Sequence, residues 1–120
     1  MHMPKALRSD RLRQYVRAGH VVLELHGEID ISAVLWIGPI LDEVTAQPGI
    51  HLVIDLSPVR FIDCTGMELL CRANRRVLER RGSWRLVCPH PFVLRLMRLA
   101  GLTGRLQPMP TLTEALALQE

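Results

Sequence analysis

Apolar and polar residues alternate between Val21 and Gly27. Val21, Leu23 and Leu25 fall on one side and Glu24 and His26 on the other, the period of a half-buried strand. The period then lengthens. Val34, Ile37, Leu41 and Val44 recur at intervals that keep one helix face apolar, and Asp30 and Ser32 ahead of them offer capping oxygens. Pro48-Gly49 closes that helix. Leu52-Val53-Ile54 is a continuous apolar run, as in a central strand covered on both faces. After a turn at Ser57-Pro58, the run Arg60-Phe61-Ile62 leads to Asp63. Met67, Leu70, Cys71, Asn74, Val77 and Leu78 then return to helical spacing until Gly82.

Trp84 to Cys88 reads as a further strand. Pro91 opens a helix at a position where a missing amide costs nothing, and Gly101 closes it. Thr111 and Glu114 have capping-box spacing and start a last short helix. Arg11 to Arg17 is expected to be a short edge strand, and the polar residues 1 to 10 a flexible N-terminal segment. Strands alternate with helices, so the class is α/β, one sheet with helices packed on it. No internal repeat or linker divides the chain.

Composition narrows this reading. The chain has 120 residues, enough for one core, and is 48% hydrophobic but only 4% aromatic. The core is therefore aliphatic, and a base-stacking surface is not expected. A net charge of +3 is too small to indicate nucleic-acid binding. Cys64, Cys71 and Cys88 have no paired spacing, and the first twenty residues hold no apolar signal-peptide core. The longest apolar run, Ala33 to Leu41, is broken by Gly38 and Pro39 and is too short to span a membrane. A cytoplasmic protein with reduced thiols is the expectation.

The corner Asp63-Cys64-Thr65-Gly66 carries the most chemistry. A strand that turns directly into a helix leaves the first helix amides unpaired. Thr65 is expected near that positive end with its hydroxyl toward solvent. Thr and Asp are also preferred helix caps, so capping alone is the competing account.

The stretch from Asp55 to Met67, DLSPVRFIDCTGM, resembles the signature of the STAS domain (sulfate transporter and anti-sigma factor antagonist). Gly27-Glu28-Ile29-Asp30 upstream, and Leu86-Val87-Cys88-Pro89 and Leu99-Ala100-Gly101-Leu102 downstream, are similar to further family motifs in the same order. The resemblance implies one STAS domain over residues 11 to 118, a mixed sheet of four to five strands carrying about four helices. It also implies a protein-binding switch without enzymatic activity. Single-domain members bind an anti-sigma factor, often a Ser/Thr kinase, and so release a sigma factor. The kinase phosphorylates the hydroxyl residue before the signature glycine, here Thr65, and a phosphatase reverses it. Cys64 stands where Ser is common, and Thr65 where many members have Ser. No cofactor or metal is implied.

Partner-binding candidates around the acceptor are Asp63, Cys64, Gly66 and Met67, with Asp30, Trp36, Ile40 and Arg72 beyond it. Asp30 and Asp63 have N-capping as their alternative role. Leu35, Trp36 and Ile40 are unusually apolar for the outer face of the first helix. They either fill the core or form a docking or homodimer patch, and Pro39, expected to kink this helix, obscures which. Arg72, Arg75, Arg76, Arg80 and Arg81 form a basic face, read as solvated or as meeting an acidic partner. The rival functions are an unphosphorylated scaffold or complex subunit with the same fold, and a thiol-based redox sensor at Cys64. No phosphatase-loop spacing, HExxH pair, Gly-rich phosphate loop or zinc set appears.

Overall fold

The computed structural model describes residues 11–117; the flexible segment expected at 1 to 10 lies outside the described residues. In chain order the elements are β1 (Leu12–Arg17), β2 (His20–Leu25), β3 (Gly27–Ile29), α1 (Ile31–Thr45), β4 (His51–Asp55), β5 (Val59–Ile62), α2 (Cys64–Glu79), β6 (Ser83–Val87), α3 (Pro91–Leu99), α4 (Thr103–Leu106), β7 (Pro108–Met109) and α5 (Leu112–Ala117).

Five strands make a mixed sheet in the order β1-β2-β4-β6-β7. The β1–β2 hairpin is antiparallel and the other pairs are parallel. Leu52, Val53 and Ile54 sit in the middle of this sheet and are fully buried, as a continuous apolar run requires. β3 and β5 leave it and pair with each other, parallel, with Ile29 opposite Ile62. The alternation from Val21 therefore does not run on as one strand through Gly27: Gly27, at φ +79, turns the chain into the second sheet.

The main core lies between the large sheet and α1, α2 and α3, built from residues such as Leu23, Ile37, Leu52, Ile54, Leu70, Val77, Leu86 and Met97. The opposite face is also covered. Val22, Val53 and Val87 form a second cluster with Ala115 of α5, flanked by Tyr15 and Met109. β2 is thus not half-buried, because both Val22 and Leu23 are fully enclosed.

α1 runs unbroken from Ile31 to Thr45 with Pro39 inside it. Its core stripe is Ala33, Ile37, Ile40, Leu41 and Val44, with Trp36 packed alongside. The expected face was set partly by Val34, which is only half-buried. Ile40, at 5% exposure, belongs to the core, whereas Ile31 and Leu35 point outward at 63% and 75%. No helix among the described residues is long and apolar enough to cross a membrane.

Candidate functional site

Two strand-to-helix corners stand side by side. β3 and β5 end in register at Ile29 and Ile62, and each is followed by an aspartate with extended backbone. Asp30 caps α1, its Oδ1 accepting from Ala33 N at 3.0 Å. Asp63 caps α2, its Oδ1 accepting from Gly66 N at 3.1 Å. Each satisfies an amide that the helix start leaves without a partner. The strands are tied together at the exit, where Asp63 N donates to Ile29 O at 3.3 Å.

Gly66 is required by this close approach. A Cβ there would lie 2.5 Å from Ile62 Cγ1 and 2.7 Å from Ile29 O. Both contacts are tighter than side chains tolerate, and one is to backbone. Gly66 is thus buried between the corners and holds α2 against them.

The Thr65 hydroxyl does not simply face solvent. It donates to Asp63 Oδ1 at 2.5 Å, and the residue is half-buried. This hydrogen bond is the main reason that the Asp63 carboxyl is held below its ordinary value of 3.8, with the Gly66 amide adding to it. Asp63 is therefore ionised at neutral pH. The bond uses the hydroxyl's single proton and leaves the oxygen lone pairs, the nucleophilic part, uncommitted.

Thr65 and Asp63 lie on the wall of an open groove of about 1160 Å³ between α2 on one side and α3 and α4 on the other. Phe92 and Leu99 of α3 line it and are 55% and 73% exposed; Phe61 of β5 lines it at 41%. α4 is held in place by Trp84, whose Nε1 donates to Leu106 O at 3.0 Å. His90, ahead of α3, is fixed to the β4–β5 loop by its Nε2, 2.7 Å from Ser57 O.

Of the residues expected from sequence, the groove gathers Asp63, Cys64, Thr65, Met67 and Arg72 along α2. Cys64 is exposed and Met67 is 7% exposed. Asp30, Trp36 and Ile40 do not line the groove: Asp30 is the cap of the neighbouring corner, and Trp36 and Ile40 pack into the core. Arg72 is not a free cation. It grips Asp42 of α1 through two bonds of 2.9 and 3.1 Å, and that grip is the main cause of a lowered Asp42 carboxyl. Arg76 binds Thr45 Oγ1 and Asp42 O, each at 2.8 Å. Two arginines of the expected basic face thus clamp α1 to α2.

The far wall of the groove was missed in the sequence. Its signal was present: on α3, Val93 and Met97 already supply an inward stripe, so Phe92 and Leu99, seven residues apart, exceed what the core can absorb.

A family model described as the STAS domain matches residues 11–115, and the chain belongs to that family. The anti-sigma-F factor antagonist RsfB of Mycobacterium tuberculosis is 30% identical over 98 residues, 82% of this chain and 80% of RsfB. A crystal structure of an anti-sigma factor antagonist from Mycobacterium paratuberculosis superposes with a TM-score of 0.79 at 28% identity, covering 88% of this chain and 89% of that one. The Bacillus cell fate determinant SpoIIAA in its phosphorylated form gives a TM-score of 0.67 over 86% of this chain and 93% of its own. At 23% identity it speaks for the fold alone.

Proposed function

We infer that this chain is an anti-sigma factor antagonist, a non-enzymatic regulator that acts in the cytoplasm by binding an anti-sigma factor and so releasing a sigma factor. The observation that carries the reading is the Asp63–Thr65–Gly66 corner beside an open apolar groove, in a chain 30% identical to a protein of that name. The anti-sigma factor is itself the Ser/Thr kinase, Thr65 is its acceptor, and a phosphatase restores the hydroxyl.

In the transfer, Thr65 Oγ1 bonds to the γ-phosphorus of ATP, the bond from that phosphorus to the bridging oxygen breaks, and ADP leaves. The hydroxyl proton passes to a base of the kinase. The product cannot keep the original hydrogen bond, because an ester oxygen has no proton to give Asp63. A group of about −1.5 to −2 charge then stands beside an ionised carboxylate that already holds the Gly66 amide. The helix N-terminus is therefore not an empty anion site for the phosphate, contrary to what the corner alone suggests. The phosphate is pushed outward into the groove. There it must be buried by any partner that docks, at a cost on the order of 2–5 kcal/mol. Association weakens by roughly 30-fold to several thousand-fold.

The test is incubation with the cognate anti-sigma kinase and ATP, followed by mass spectrometry. Modification confined to Thr65, and absent in Thr65→Ala, supports the reading. Binding to the kinase with no modification of Thr65 even after prolonged incubation with ATP contradicts the switch.

A further inference from the structure

We propose that the groove beside Thr65 seats one acidic amphipathic helix of the anti-sigma partner, about three turns long, with its carboxylates over Arg75 and Arg105. This rests on the reading of the chain as an anti-sigma factor antagonist and goes further by stating the shape and charge of what it binds.

The walls decide the shape. They come mainly from α2, α3 and α4, helices whose backbone groups are used internally and which offer side chains, with Phe61 and Ile62 contributed by β5. Recognition by such a surface is of the helix-in-groove kind, read by apolar anchors at i, i+3, i+4 and i+7. Phe61, Phe92 and Leu99 remain substantially exposed, and Leu96 continues the apolar lining. The length follows from α2. From Thr65 to Arg75 is ten residues of helix, roughly 15 Å, which matches about three turns of an apposed helix.

The charges decide the sign. The lining carries three guanidiniums, on Arg72, Arg75 and Arg105, and two carboxylates, on Asp63 and Glu68. Arg72 is bound to Asp42, and Asp63 is engaged by the Thr65 hydroxyl and the Gly66 amide. Arg75 and Arg105 make no hydrogen bond or ion pair with any described residue. Of the lining cations, those left to meet a partner are therefore these two, one on α2 and one on α4. Acidic side chains complement them.

The same charges explain why Thr65 works as the control point. With Asp42, which neutralises Arg72, the charges balance at three positive against three negative. A phosphate of about −1.5 to −2 makes the groove net negative. An acidic helix that the groove attracts before phosphorylation is repelled after it.

Binding of the purified cognate anti-sigma factor, by calorimetry and stopped-flow at two salt concentrations, tests the proposal on the full chain. The double variant Arg75→Glu, Arg105→Glu should weaken binding by on the order of 30-fold or more and slow association most at low salt. Phe92→Ala should weaken it by about tenfold through faster dissociation. Both changes are on exposed residues, and circular dichroism checks that the fold is kept. If the unaltered chain binds and the double variant binds equally well, the groove proposal fails while the antagonist reading stands. If the unaltered chain does not bind, both fail. Tighter binding by the double variant would show a basic partner surface and overturn the acidic helix.

Discussion

The two corners of this domain carry nearly the same four residues: Asp30-Ile31-Ser32-Ala33 opens α1, and Asp63-Cys64-Thr65-Gly66 opens α2. In each, a parallel strand ends, an aspartate caps the helix through the amide three residues on, and a hydroxyl residue follows two places after the cap. The two corners differ in what surrounds the hydroxyl. Ser32 is exposed and makes no hydrogen bond to Asp30 among the described residues, while the Thr65 hydroxyl is held on Asp63 at 2.5 Å. Thr65 also borders the groove, which neither Asp30 nor Ser32 touches. The capping motif itself is repeated, and what distinguishes the second corner is the groove beside it.

The residue after the hydroxyl should separate the corners most strongly. Gly66→Ala drives a Cβ into Ile62 and the Ile29 carbonyl, and urea denaturation should show a loss of about 1–3 kcal/mol despite the better helix propensity of alanine. The reverse change at the first corner, Ala33→Gly, removes one buried methyl and should cost about 1 kcal/mol, through helix entropy and lost packing.

The caps come next. Asp63→Ala and Asp30→Ala should each cost about 1 kcal/mol in the same assay, with Asp63 the larger because it also leaves the Thr65 hydroxyl without its acceptor.

The smallest effect on stability is the most specific. Thr65→Val should raise the Asp63 carboxyl toward 3.8, as followed by NMR titration, because the hydrogen bond that chiefly holds it down is gone. Asp63 has a depressed value in the folded state, so its contribution to stability is present above the unfolded value near 3.8 and lost as pH falls through the folded one. In Thr65→Val that contribution shrinks, and acid unfolding of the variant should begin at higher pH. Ser32→Ala should change stability by less than about 0.5 kcal/mol and leave the acid limb where it was.

Much of this was legible in the residue pattern. The central strand at Leu52–Ile54 and the helix after Thr65 follow from unbroken apolar runs and helical spacing, and both lie where expected. Asp63 and Thr65 were marked by their position before Gly66. Less local features were not readable. The split of β3 and β5 into their own pair depends on a positive φ at Gly27 and on register, neither of which periodicity encodes. The second core was hidden because Val22 reads as part of one strand until α5 is known to lie across it. Trp36 and Ile40 looked ambiguous beside Pro39, and only the packing of α1 turns them inward. The Arg72 grip on Asp42 spans thirty residues of chain, so no window could reveal that a cation of the basic face was already used.

The most direct measurement is the affinity of the cognate anti-sigma factor for the chain with and without phosphate on Thr65, with Ser32→Ala as the matched control. Unmodified protein and the Ser32→Ala variant should bind alike, and the phosphorylated form should bind roughly 30-fold or more weakly with its circular dichroism unchanged. Equal affinity before and after phosphorylation of Thr65, or phosphate found on Ser32 instead, would contradict the assignment of the second corner as the switch.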